Sequence, residues 1–92
     1  MLLLPATTTA AEARDTLRML SQALQREADT RVVIDASSLQ VFDSSAIAVL
    51  LECRRLAHAW GKGFELRKPP PKLAALTKLY GVEDLLAPTA AP

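Results

Sequence analysis

Three short apolar segments alternate with three helical patterns along the chain, and this order constrains the fold more than any other feature of the sequence. Strands are predicted at residues 2–4, 31–35 and 64–67, and each is followed by a helix. Strands that alternate with helices form a parallel sheet with right-handed crossover connections. The β-branched run at 32–34 predicts a middle strand buried on both faces. The predicted fold class is therefore α/β, with a short, mostly parallel sheet of about three strands and three helices.

The first and last helices each carry one apolar stripe. Thr9 and Glu12 have the spacing of a capping box, so the first helix is predicted to start there. Its inward residues recur every three or four positions: Ala13, Leu17, Leu20, Leu24 and Ala28. The last helix, residues 72–80, ends before Gly81, a residue suited to the left-handed position after a helix. The inward residues predicted for this helix are Leu73, Leu76 and either Leu79 or Tyr80.

Length and composition indicate a single domain of residues 1–92, with a core from about residue 2 to 86 and a flexible tail at 87–92. Eleven basic residues nearly balance ten acidic ones, so we expect no nucleic-acid partner. Cys53 is the only cysteine, which excludes an intrachain disulfide and suits a reducing cytoplasm. The apolar start is too short for a signal peptide, and no segment approaches the roughly 18 apolar residues that span a bilayer. Any membrane association is therefore expected to come through a partner.

The central helix, predicted from about residue 44 to 60, has two apolar faces when residues advance by about 100° each. The face assigned to the core holds Ala46, Val49, Leu50, Cys53, Leu56, Ala57 and Trp60. The opposite face holds Ser44, Ile47, Ala48, Leu51, Arg54, Arg55 and His58. Exposed apolar clusters often mark partner surfaces, so we predict that this second face, together with Asp43, binds a partner protein. The alternative is that the first or last helix of the same chain covers Ile47 and Leu51.

Ser44 stands at the start of this helix and has two interpretations. In the first, Asp43 or Ser44 caps the helix N-terminus through a side-chain oxygen. In the second, Ser44 is exposed beside the apolar row and is a site of phosphorylation. A phosphate there is compatible with the helix dipole but would repel an apolar or acidic partner, so it would block docking without unfolding the domain.

The residue types needed for catalysis or cofactor binding are missing or badly placed. The three glycines form no phosphate-binding loop, and one His with one Cys cannot supply a metal site. Cys53 and His58 fall on nearly opposite sides of one helix, so they cannot act as nucleophile and base. Asp35 and Asp43 could pair at the strand ends, but Asp35 is better explained as an acceptor for loop amides near Ser44. We expect no enzymatic activity, no cofactor and no metal.

Two stretches of the chain resemble the signature of the STAS domain family. They are Val32-Val33-Ile34-Asp35-Ala36-Ser37-Ser38-Leu39 and Val41-Phe42-Asp43-Ser44-Ser45-Ala46-Ile47-Ala48-Val49-Leu50-Leu51. In that family a buried strand that ends in Asp leads through a loop to an Asp-Ser-Ser-Gly type turn and a helix. The resemblance covers residues 31–86 well and the first helix loosely, and it implies a small STAS-like fold that acts by binding other proteins.

Two kinds of family member are candidates. The segment 73–82 with Leu85 and Leu86 is similar to the end of the STAS subunit of the Mla phospholipid transporter, which binds the ABC ATPase. This resemblance implies a cytoplasmic accessory subunit, peripheral to the inner membrane through its partner, in a system that maintains lipid asymmetry of the outer membrane. The alternative is an anti-sigma factor antagonist, a kind of protein phosphorylated on the first serine of the turn, here Ser44.

The chain departs from the family pattern at two places. Ala46 replaces the usual glycine after the two serines, so this position is expected to be ordinary helix, which suits a docking surface better than a site read by a kinase. The additional N-terminal strand of the family is absent before residues 2–4. The sheet edge is therefore expected to be open, or filled by a partner or by a second copy in a homodimer.

Overall fold

A computed structural model describes residues 1–87 of the chain. The central sheet consists of β1 (Leu2–Leu3), β3 (Arg31–Asp35) and β5 (Gly63–Arg67), and all its strands are parallel in the order β1-β3-β5. The helices are α1 (Ala13–Arg26), α2 (Ser44–Ala59) and α3 (Pro71–Leu79). A smaller parallel pair joins β2 (Thr7–Thr8) to β4 (Val41–Phe42). The α/β fold class and the three-stranded sheet with three helices are therefore confirmed.

The strand order places α1 and α2 on one side of the sheet. Each crossover moves to the next strand in the same direction, and right-handed crossovers of this kind leave their helices on the same face. Accordingly, α1 and α2 pack against each other, and all three helices contribute to one core. The prediction that the middle strand is buried on both faces is wrong, because Val33 on the other face is only half-buried. That face carries a ladder of ion pairs in which Arg31 and Arg67 both contact Glu65.

The pairing of β2 with β4 was not predicted from the sequence. Both strands are two residues long, which is too short for any alternation of apolar and polar residues to show. The Ala6 carbonyl accepts hydrogen bonds from the N–H groups of Gln40 and Val41, at 2.8 and 2.9 Å, so the start of the chain is joined to the loop before α2. This connection brings the region before α1 next to the start of α2.

Of the two hydrogen bonds expected for the predicted capping box, the one that the Glu12 carboxylate accepts is present before α1. Glu12 Oε1 accepts hydrogen bonds from Thr9 N at 2.9 Å and from Thr9 Oγ1 at 2.7 Å, and these bonds, the hydroxyl first, hold the pKa of the Glu12 carboxyl below its ordinary value. The helix itself begins later, at Ala13, because residues 9–12 form a preceding turn. At the other end the predicted stripe is too long, since Ala28 lies beyond the helix and is exposed.

Two predicted core positions at helix ends are wrong. Trp60 is 55% exposed, because it follows the last residue of α2 with a backbone that leaves the helix. At the end of α3, both Leu79 and Tyr80 are exposed, at 78% and 56%, whereas Thr77 is buried. Gly81 has a φ of +69°, which confirms its predicted position after the helix. Apart from Ala87, the predicted tail at 87–92 lies outside the described residues.

Candidate docking site at the start of helix α2

Asp43 holds the start of α2 in place. Its Oδ1 accepts a hydrogen bond from Ser45 N at 2.8 Å, which confirms Asp43 as the N-cap and leaves the Ser44 side chain without that role. Its Oδ2 accepts a second hydrogen bond from Ala10 N at 3.2 Å. The bond from Ser45, more than the one from Ala10, lowers the pKa of the Asp43 carboxyl below its ordinary value of 3.8. Asp43 therefore ties α2 to the turn that precedes α1.

The predicted partner face of α2 is less open than the sequence indicated. Ile47 is only 4% exposed and belongs to the core, so its place on an exposed surface is wrong. Leu51 is half-buried and packs against the same core. Ser44 and Ala48, on the same face, are exposed. Ile47 is therefore covered within the chain and Leu51 partly so, although the residues beside them are Tyr80 and Val82, after the last helix, and not the first or last helix that the alternative interpretation named.

The segment after α3 borders this face. Tyr80 and Val82 lie opposite α2 and leave a groove of about 280 Å³ between them and the helix. The α2 groove, as we call it, is lined by Ser44, Ile47, Ala48, Leu51, Tyr80 and Val82. Its lining is mainly apolar, and Ser44, the first residue of α2, lies at one end of the row of α2 residues. Sequence reasoning found the four α2 residues but missed Tyr80 and Val82, because no local pattern indicates which distant segment packs on a helix.

The basic residues predicted for the site continue along the same face of α2. Arg54, Arg55 and His58 follow Leu51 at three-, four- and seven-residue steps. Arg55 is engaged with Glu52, whose two carboxylate oxygens both lie 3.0 Å from the Arg55 Nε. Arg54 is half-buried, and its Nε is sealed from solvent without a hydrogen-bond partner in residues 1–87. Arg54 therefore has one buried donor that no group in residues 1–87 satisfies.

The other candidate polar groups have structural partners of their own. Asp35 is 7% exposed, and its Oδ1 accepts a hydrogen bond from Ser37 N at 2.8 Å. The hydrogen bonds from Ser37 are the main reason that the pKa of the Asp35 carboxyl is lowered. The predicted role as an acceptor for loop amides is thus correct, but the amide belongs to the loop after β3 and not to the region of Ser44.

Cys53 is fully buried, and burial raises the pKa of its thiol to about 12. A thiol with such a pKa carries almost no thiolate at neutral pH, so Cys53 is a core residue and not a nucleophile. Within residues 1–87, no group of three or more His, Cys, Asp or Glu side chains is arranged to hold a metal ion. Among the same residues, no helix has the length and apolar character needed to cross a membrane.

The architecture and the capped helix start define a small α/β domain of the kind that STAS proteins share. Residues 5–87 match the family model described as "Mlab, STAS domain", and the chain therefore belongs to the STAS domain family. Domains of this family are generally non-catalytic and have regulatory or accessory roles, and this chain has a role of that general kind. No curated protein matches the chain.

Proposed function

We propose that the chain is a non-catalytic accessory subunit that binds and regulates the ATPase of a phospholipid-transporting, Mla-type ABC transporter. In this role it acts in the cytoplasm, reaches the inner membrane only through its partner, and contributes to lipid asymmetry of the outer membrane. The observation that carries the proposal is the α2 groove, in which an apolar floor opens beside the exposed Ser44 and Ala48. The family description, which names Mlab, supports the choice of transporter.

Docking at this groove requires little change in the chain itself. Asp43 already fixes the start of α2, and Ile47 is held in the core, so the floor of the groove is rigid before a partner arrives. The small side chain of Ala48 leaves room for a partner to approach the helix closely. An apolar side chain of the ATPase would enter between Leu51 and Tyr80. Binding to the folded ATPase would stabilise that protein by mass action and favour its active arrangement.

A second candidate function rests on Ser44. Its side chain is exposed and makes no hydrogen bond within residues 1–87, because Asp43 supplies the helix cap. A phosphate on Ser44 would be stabilised by the N-terminus of α2 and would place negative charge at the rim of an apolar groove. Such a switch is what an anti-sigma factor antagonist uses, and its partner would be a kinase-like anti-sigma factor.

The same substitution at two exposed alanines tests the proposal. Ala48→Arg fills the mouth of the α2 groove, whereas Ala28→Arg makes the same change beyond the end of α1, at a position that does not line the groove or lie on α2. We expect the purified chain to bind the ABC ATPase of the same organism, and Ala48→Arg to weaken that binding by at least about tenfold. The matched control Ala28→Arg should bind within about twofold of the unsubstituted chain, as expected for a residue outside an interface.

Each other outcome has a definite meaning. Binding to a kinase-like anti-sigma factor, but not to the ATPase, would replace the first function with the second. Equal losses of affinity in Ala48→Arg and Ala28→Arg would remove the α2 groove from the interface. Circular dichroism of both variants shows whether the domain stays folded, which is expected because Ala48 and Ala28 are exposed.

A further inference from the structure

A second groove lies on the other side of the Asp43 cap, between Pro5 and the first two turns of α1. It has a volume of about 290 Å³ and is lined mainly by Pro5, Ala11, Glu12, Asp15, Thr16 and Met19. We call it the α1 groove. Neither the family resemblance nor the proposed docking at α2 gives this groove a role.

The α1 groove has both acidic and apolar lining residues. Glu12 and Asp15 both line it, no basic residue does, and neither carboxylate forms an ion pair within residues 1–87. One oxygen of Glu12 is occupied by Thr9, so the other oxygen and the whole Asp15 carboxylate remain as acceptors. Pro5 and Met19 supply apolar lining, and Met19 is 48% exposed. Such a surface matches a side chain with a cationic head and an aliphatic stem.

Thr16 provides an independent indication of a ligand. The hydroxyl groups of Ser21 and Thr77, also within helices, each donate to a carbonyl three residues earlier, at 2.9 and 2.7 Å. Thr16 is only 6% exposed, yet its hydroxyl makes no such bond and no other within residues 1–87. Within residues 1–87, Arg54 Nε is the one side-chain nitrogen or oxygen that is sealed from solvent without a hydrogen-bond partner. The unpartnered Thr16 Oγ1 is therefore not sealed from solvent, and it is exposed to solvent in the groove that Thr16 lines.

We propose that the α1 groove receives an arginine side chain of the partner protein. The planar guanidinium has five N–H donors, enough for Thr16 Oγ1 and both carboxylates at once. A lysine ammonium has three donors on a single nitrogen and matches three separate acceptors less well. Its methylene stem lies along Pro5 and Met19. The hydrogen bond from Ala10 N to Asp43 joins the turn beside this groove to the start of α2, so one partner can cover both grooves. In naming the partner, the inference rests on the proposed function.

The isolated chain gives a first test that needs no partner. We expect N-acetyl-arginine methylamide to cause saturable amide NMR shifts at Asp15, Thr16 and Met19, and N-acetyl-norleucine methylamide to cause none. Asp15→Asn removes one charge, and Thr16→Val removes only the hydroxyl while it keeps the shape. Each should weaken arginine binding by about threefold, the usual scale for one exposed polar contact. Unchanged affinity in either variant, or equal shifts with norleucine, would overturn the assignment.

The complex gives the second test. Asp15→Asn should weaken binding to the ABC ATPase by about fivefold to tenfold, as for one charged contact at an interface. Asp29→Asn is the matched control, because Asp29 is exposed beyond the far end of α1 and loses the same charge. Equal affinities of the two variants would overturn the inference. If the unsubstituted chain does not bind the ATPase, the proposed function fails, and the arginine titration alone then decides the α1 groove.

Discussion

Replacing Ile47 with alanine tests whether this residue belongs to the core or to an open surface. Ile47 is 4% exposed, and deletion of a buried Ile side chain to Ala costs about 2–5 kcal/mol. Two features of the site favour the lower part of that range. The space left by the side chain opens into the α2 groove and does not become a sealed cavity, and alanine is the better helix former by about 0.4 kcal/mol. We therefore expect a loss of about 2–3 kcal/mol in the free energy of unfolding.

Urea denaturation followed by far-UV circular dichroism measures this loss. For a domain of this size the melting temperature should also fall by about 10–20 °C. Leu79→Ala is the control, because Leu79 is 78% exposed and its truncation should change stability by no more than about 0.5 kcal/mol. A cost of less than about 1 kcal/mol for Ile47→Ala would refute the reasoning. In that case Ile47 would lie on an open face, as its position in the sequence first indicated.

Three further predictions follow from other contacts. Lys62 Nζ donates to the carbonyls of Leu24 and Glu27 at the end of α1, so Lys62→Met should lower the free energy of unfolding by about 1 kcal/mol in the same urea assay. The pKa of the Asp43 carboxyl is lower in the folded chain than its ordinary value of 3.8. The stability that the carboxylate contributes is therefore present above pH 3.8 and is lost as the pH falls through the pKa of the folded state. The difference in urea midpoint between the unsubstituted chain and Asp43→Ala should accordingly shrink on acidification below pH 3.8; a constant difference would be contrary evidence. Cys53, with a pKa of about 12, should react with Ellman's reagent at pH 8 only in denaturant, and rapid reaction of the folded chain would show that the thiol is not buried.

The helices and the main strands could be predicted because they depend on local patterns. The β-branched run gave β3 with its observed bounds of Arg31–Asp35, and the spacing of Thr9 and Glu12 located the turn before α1. Gly81 likewise has a left-handed backbone for a purely local reason. The burial of the two faces of β3 could not be predicted from its own residues, because it depends on where the crossovers place the helices. Strand order combined with right-handed connections would have predicted one open face.

The candidate site was only partly predictable for the same reason. Asp43 stands directly before a helical pattern, so its role as a cap is visible in the sequence, whereas its bond to Ala10 joins residues 33 positions apart. Helical periodicity correctly placed Ile47 and Ala48 on one face, but it could not show that Ile47 would be buried or that Tyr80 would border the same groove. That arrangement follows from how the segment after α3 packs on the core.

The central claim is that the face of α2 beside Ser44 contacts the ATPase of a transporter. A photo-reactive benzoylphenylalanine placed at Ala48, and in a second strain at Ala28, tests this contact directly in living cells, because both positions are exposed and only Ala48 lies on α2. Irradiation should link the chain to the ABC ATPase from position 48 and give little or no adduct from position 28. Adducts with a kinase-like protein alone, or equal yields from the two positions, would contradict the account.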